Sequence, residues 1–169
     1  MTRRIQTCLG FLFVVLLNIS GCVSTQEITV QERNKELVQR MTEEVWSKGN
    51  LEILDEMFSP NFVKYFLPMG SETRGLDQLR VSIGSHRKAF PDWAEQIQRI
   101  VAEGDMVAIH FTSTGTNDGS FLGNAPTGKQ IHINEMSIYR IDEGRIVEQW
   151  LIPDLLNLSE QLGLVLQLK

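Results

Sequence analysis

The sequence predicts an α+β domain in which helices come first and are segregated to one side of an antiparallel sheet. Three observations predict it. From Gln31 to Phe90 the apolar residues recur mostly at spacings of three and four, the repeat of helices that bury one face. Beyond Phe90-Pro91-Asp92 they fall instead into runs rich in Val, Ile, Phe and Thr. Short glycine-containing turns separate those runs, and such an order favours helices packed as a layer against a sheet.

The first two dozen residues stand outside that domain. Arg3 and Arg4 form a small cationic start, and Leu9 to Leu17 is an apolar run broken only by Gly10. A run that short does not span a bilayer but suits the core of a signal peptide. Ile19-Ser20-Gly21-Cys22 follows and resembles the bacterial lipobox, in which small residues enter a narrow peptidase cleft and the cysteine thiol accepts a diacylglycerol. Residues 1–21 are therefore read as a cleaved signal peptide, 22–30 as a polar tether and 31–169 as the domain. The expected product is a lipoprotein of the cell envelope held to a membrane through Cys22. Val23 rather than aspartate follows that cysteine, which favours the outer membrane in a host that has one. Cys8 would leave with the signal peptide, so no disulfide is expected within one mature chain.

The first helix is expected from Gln31 to about Lys48, where Leu37, Val38, Met41, Val45 and Trp46 make one apolar face; Gly49-Asn50 stops it. A shorter helix over Leu51 to Phe58 ends at Pro60. Asn61 to Leu67 reads as extended and Pro68-Met69-Gly70 as a turn. Leu76, Leu79, Ile83 and Phe90 predict a third helix from Gly75 to about Ala89, closed because a residue before proline leaves helical dihedrals. Strands are expected over Trp93 to Glu103, Met106 to Gly115, Lys129 to Ile141 and Arg145 to Ile152. Asp142-Glu143-Gly144 joins the last two as a hairpin. Asp154 to Leu168 carries a leucine stripe and reads as a short closing helix or tail.

The formal charge of −5 excludes a basic stripe able to meet a phosphate backbone, so no nucleic-acid partner is expected. No pair of histidines has metal-ligand spacing, and no metal is predicted.

Several short segments carry a family resemblance through their order. They are Val45-Trp46-Ser47-Lys48-Gly49-Asn50-Leu51, Phe90-Pro91-Asp92, Gly104-Asp105-Met106-Val107-Ala108, Gly115-Thr116 with Gly119, and Ala125-Pro126-Thr127-Gly128-Lys129. Tyr139-Arg140, Arg145-Ile146-Val147-Glu148-Gln149-Trp150, Asp154 and Gln161-Leu162-Gly163 complete the series. The chain resembles the SnoaL-like polyketide cyclase and ester cyclase group, within the cone-shaped superfold of nuclear transport factor two. The resemblance implies a curved antiparallel sheet packed with three N-terminal helices around one apolar pocket. It also implies cofactor-free proton transfer, which needs a carboxylate or imidazole in that pocket. Where group members often carry an acid or base, this chain aligns Leu151, Ser137, Tyr65 and Asn117.

Asp154, Glu135 and His110 are the candidate catalytic residues. Glu148, Trp150, Ile152 and Asp154 alternate and would share one face of the last strand. An acid beside an aromatic there would have its pKa raised; alternatively Glu148 pairs with Arg140 and Trp150 is core. Glu135 has the parity of Ser137 and Tyr139, and the simpler reading of it is surface exposure or a dimer contact. His110 lies in the apolar strand Val107-Ala108-Ile109-His110-Phe111, either as an acid or base or as a hydrogen-bonded histidine at the sheet surface. His86, within Ser85-His86-Arg87-Lys88, reads as solvated. Tyr65, Trp93, Ser137, Glu148 and Trp150 are the expected pocket lining.

Three readings follow. The first is cofactor-free enzyme chemistry on a small apolar molecule, the second a ligand-binding module, and the third an interaction domain that forms a homodimer through its open sheet face.

Overall fold

A computed structural model describes residues 25–164. The expected signal peptide and Cys22 lie outside the described residues. Among those residues no helix is long and apolar enough to cross a membrane.

Helix α1 (Thr25–Met41) begins inside the stretch read as a tether and runs directly into a wider π-helical turn, Thr42–Ser47. The Thr42 hydroxyl donates to the Val38 carbonyl at the junction (2.9 Å), and Gly49, at φ +72°, lets the chain reverse. The second helix is shorter than expected: α2 is only Leu54–Met57, and Pro60 lies within strand β1 (Phe58–Phe66). Leu67–Met69 makes a 3₁₀ turn, followed by an edge strand that sequence periodicity did not reveal, β2 (Ser71–Arg74). Helix α3 (Gly75–Ala89), strands β3 (Ala94–Glu103), β4 (Met106–Thr116), β5 (Gln130–Asp142) and β6 (Arg145–Pro153), and helix α4 (Leu155–Leu162) follow the expected order.

The six strands form one sheet in the order β2-β1-β6-β5-β4-β3. It is antiparallel except where β1 runs parallel to β6, which the sequence pattern alone did not predict. Register shifts in three strand pairs, between Phe58 and Val63, Ile97 and Arg99, and Arg140 and Ile141, mark bulges that bend and twist the sheet. Strand β5 shows how the pattern sets the faces. Ile131, Ile133, Glu135, Ser137, Tyr139 and Ile141 are buried against the helices, while His132, Asn134, Met136 and Ile138 are exposed on the other side.

Two apolar clusters hold the helices to the inner face. One joins Val38 and Met41 of α1, Leu79 and Ile83 of α3, and Val107, Ile109 and Tyr139 of the sheet. The other joins Phe90, Trp93, Ile131, Ile133, Leu158 and Leu162. Residues of both clusters line one cavity of about 370 Å³.

Candidate functional site

The walls of the cavity follow from alternation on the strands. Lys64 and Phe66 from β1, Glu95 from β3, Phe111 from β4, Ile133, Glu135 and Tyr139 from β5, and Gln149 and Leu151 from β6 all have the inward phase. Trp46 enters from the π-helical turn and His86 from α3. The β4–β5 loop supplies Phe121 and Leu122.

That loop is fixed by one buried amide. Asn117 Oδ1 accepts from Thr127 N (3.0 Å) and from its hydroxyl (3.1 Å), while Nδ2 donates to the carbonyls of Gly119 (2.8 Å) and Ala89 (3.3 Å). A side chain at Gly119 would meet the Lys88 carbonyl at 2.1 Å, so glycine permits the loop to touch the end of α3. The contact brings the Phe121 ring to 5.0 Å from that of Phe90.

The cavity holds charge as well as apolar surface. Glu135 is only 5 % exposed and accepts a hydrogen bond from Ser113 Oγ at 2.5 Å. Burial raises its pKa to about 7, against the opposing effects of the Ser113 hydroxyl and the Lys64 charge. Glu95 accepts from Trp93 Nε1 at 3.1 Å; burial, then the negative charge of Glu135, push its carboxyl well above the usual range. Lys64 is 7 % exposed, and burial lowers its amine to about 8 even though both carboxylates oppose that shift. Gln149 Nε2 bridges the hydroxyls of Ser137 (3.1 Å) and Tyr139 (3.2 Å) beneath this cluster.

His86 stands in an aromatic cage. Its ring centroid lies 4.2 Å from that of Trp93, 5.3 Å from Phe90 and 6.0 Å from Trp46. Its Nε2 is buried without a hydrogen-bond partner among the described residues. Burial, followed by the charges of Lys64 and Arg87, lowers its pKa to about 4, so the ring is neutral at physiological pH. The expectation of a solvated His86 is thereby corrected. Its position continues the Leu79, Ile83 and Phe90 stripe, which turns the ring into the cavity although its chain neighbours are polar.

The sequence-predicted site residues divide between the two faces of the sheet. Glu135 and Trp93 line the cavity, and Ser137 lies just under it, 2 % exposed. The simpler reading of Glu135, an exposed or dimer-facing acid, does not hold. Asp154, His110, Glu148, Trp150 and Tyr65 do not line the cavity. Asp154 is exposed and caps α4, accepting from Asn157 N at 3.1 Å. His110 is held on the outer face by Asn134 (3.1 Å) and Arg99 (3.3 Å). Glu148 pairs with Arg140 at 2.5 Å, as its alternative reading had it. The Trp150 ring stacks on Tyr65 at 5.5 Å rather than entering the core. The alternation Glu148, Trp150, Ile152 is real but has the outward phase, because Gln149 and Leu151 face in.

Lys64, Glu95, His86 and Gln149 complete the site and were missed. A signal existed for three of them: Lys64 shares the phase of Phe62, Glu95 that of Trp93 and Ile97, and His86 the helical stripe just described. Among the described residues no three His, Cys, Asp or Glu side chains converge as a metal would require.

The helix-backed curved sheet is matched by known proteins. The family model for SnoaL-like polyketide cyclases matches residues 36–162. The chain belongs to that family. Among solved structures, a candidate polyketide cyclase from Acidithiobacillus ferrooxidans is 32 % identical, with 78 % of this chain and 94 % of that one covered and a TM-score of 0.68. IdmH from Streptomyces antibioticus, described as a candidate polyketide cyclase, is 28 % identical over 78 % of this chain and 99 % of its own, also at a TM-score of 0.68. A SnoaL-like protein from Jannaschia sp. shares the fold at a TM-score of 0.74 with 24 % identity, covering 79 % and 94 % of the two chains. Among curated protein sequences none matches the chain. Within the SnoaL-like family the expected acid or base position after the last-strand tryptophan is Leu151 here, an apolar cavity wall, and Glu135 on the neighbouring strand lines the pocket together with Glu95.

Proposed function

We propose that this SnoaL-like protein carries out cofactor-free proton transfer on a small apolar ligand, with Glu135 as the base. One observation carries the reading: a carboxyl group buried in an otherwise largely apolar cavity and brought to a pKa near 7, where it exchanges protons readily at neutral pH. Glu95 supplies the complementary group. Burial favours its neutral form, which suits it to donate a hydrogen bond or a proton to an oxygen on which charge develops. Two carboxyls in one cavity thereby divide the roles of base and acid.

The test uses β-tetralone, an apolar ketone with exchangeable α-protons, in heavy water with the protein purified from its own host. Deuterium incorporation followed by NMR is expected to be catalysed and to be lost in Glu135→Gln. Equal exchange in both proteins would remove Glu135 from the base role.

A second reading is a binding module without turnover, favoured by Leu151, which puts an apolar wall where relatives often hold an acid or base. Retention of an apolar compound without exchange would select it. In either case we place the protein on the cell envelope through a lipid on Cys22. A homodimer is part of the same proposal. Its support is the outer sheet face, where Met136, Ile138, Ile152 and Val101 are 43–64 % exposed beside the Tyr65–Trp150 stack.

A further inference from the structure

Lys64 departs from what buried lysines ordinarily do. A lysine that deep is almost always paired with an acid. Here the ammonium position lies 5.2 Å from the centroid of the Trp46 ring, and no hydrogen bond or ion pair ties the amine down among the described residues. It stands on the inward phase of β1 between Phe62 and Phe66, in the wall of the cavity that also holds Glu95 and Glu135. A structural lysine would have reached either carboxylate or the solvent; this one is left facing the space where a ligand would sit.

We propose that Lys64 is a nucleophilic amine that captures the carbonyl group of an apolar aldehyde or ketone in the cavity as an imine. The inference rests on the reading of the cavity as a small-molecule site and names the ligand class for it. The neutral amine nitrogen adds to the carbonyl carbon, and a proton moves from nitrogen to oxygen to give a carbinolamine. The hydroxyl then leaves as water while the C=N bond forms. Both amine hydrogens depart with the carbonyl oxygen, so the step consumes no oxidant, reductant or second reactant. Glu95 is the group that hands a proton to the departing hydroxyl and recovers it from nitrogen. Once protonated, the imine draws electrons from the adjacent carbon and acidifies the C–H that Glu135 removes.

Burial favours the reactive form. At pH 7 an amine with a pKa of about 8 is neutral in roughly one molecule in ten, against roughly one in three thousand for an exposed lysine. Desolvation in an apolar pocket is a recognised way of activating an amine for attack on carbonyls.

The experiment treats the full chain with acetylacetone, which forms a near-ultraviolet-absorbing enaminone with neutral amines, and maps the adduct by peptide mass spectrometry. Hexanal with cyanoborohydride, which fixes an imine as a secondary amine, is run in parallel. The expected result is modification of Lys64 more than about tenfold faster than of Lys35, Lys48, Lys88 or Lys129, and no fast phase in Lys64→Arg. Mapping on the unmutated protein decides the matter even if the variant folds poorly. Quenching of Trp46 and Trp93 fluorescence reports entry of the probe, with Trp150 on the opposite face as a constant background. Entry with Lys64 left unmodified while exposed lysines react overturns the imine and leaves proton transfer by Glu135 standing. No entry overturns both.

Discussion

Ser113 Oγ donates to Glu135 Oε1 at 2.5 Å, diagonally across the β4–β5 pair, with both residues buried. The hydroxyl stabilises the ionised carboxylate and so works against burial. The pKa near 7 is the balance of the two. Replacing Ser113 by alanine leaves burial unopposed at that oxygen. The carboxyl midpoint in Ser113→Ala is expected to rise by roughly one unit, read from the Glu135 side-chain carbon resonance across a pH titration. An unmoved midpoint would mean that the hydroxyl does not hold the carboxylate.

Glu135 also links stability to pH. Its folded pKa is raised above the unfolded value of 4.5, so between about pH 4.5 and 7 the folded state binds more protons than the unfolded one and stability falls as pH rises. The neutral His86 acts in the opposite sense between about pH 4 and 6.5. The total slope mixes the two, and comparison with Glu135→Gln isolates one. Glutamine keeps an acceptor for Ser113. The variant is expected to gain up to about 3 kcal/mol over the parent between pH 4.5 and 7, measured by urea denaturation at several pH values. A constant difference across that range would contradict the raised pKa.

His86 carries an orphan nitrogen in an aromatic cage. A phenylalanine fits the same stacking surroundings and removes the unsatisfied group, so His86→Phe is expected to stabilise the fold by about 1–2 kcal/mol at pH 7. Loss of stability in thermal denaturation would show that the nitrogen has a partner in solution.

Asn117 and Gly119 together shape the roof of the cavity. Asn117→Ala deletes four side-chain hydrogen bonds from a residue 1 % exposed and should cost about 2–3 kcal/mol. Hydrogen exchange should accelerate at Phe121 and Asn124, whose amides pair only with each other's carbonyls across the tip of this loop. Gly119→Ala should do likewise through its clash with the Lys88 carbonyl. Unchanged exchange at these amides in both variants would separate the knot from the roof.

Most of the fold could be read from periodicity because its long elements are amphipathic. Helix α3 was expected from Gly75 to about Ala89 and runs over those residues, and β5 carries an alternation that fixes its register. What escaped were features decided by partners distant in the chain. Strand β2 has four mostly exposed residues and becomes a strand only by pairing with β1. The site followed the same logic. Glu135 was found because it stands in phase with Tyr139. Asp154 was misplaced because a helix cap and an acid one turn from a strand look alike until the chain direction is known. Lys64 was passed over because a lone lysine in an apolar strand is ordinarily solvent-facing, and His86 because its chain neighbours Ser85, Arg87 and Lys88 are polar.

The parallel pairing of β1 with β6 has a consequence for how the protein is made. Val63 meets Glu148 and Tyr65 meets Trp150, so apart from the short β2 hairpin, the first strand has no strand to pair with in the described sheet until the last strand has left the ribosome. Long-range pairings of this kind form late and slowly. The wall bearing Lys64 is therefore assembled at the end of folding, when β6 joins the antiparallel strands to the nascent N-terminal half. A chain halted before Arg145 would hold Glu95, Glu135 and Tyr139 on a partial sheet with one edge open, unable to enclose a ligand and exposed to pairing with other chains.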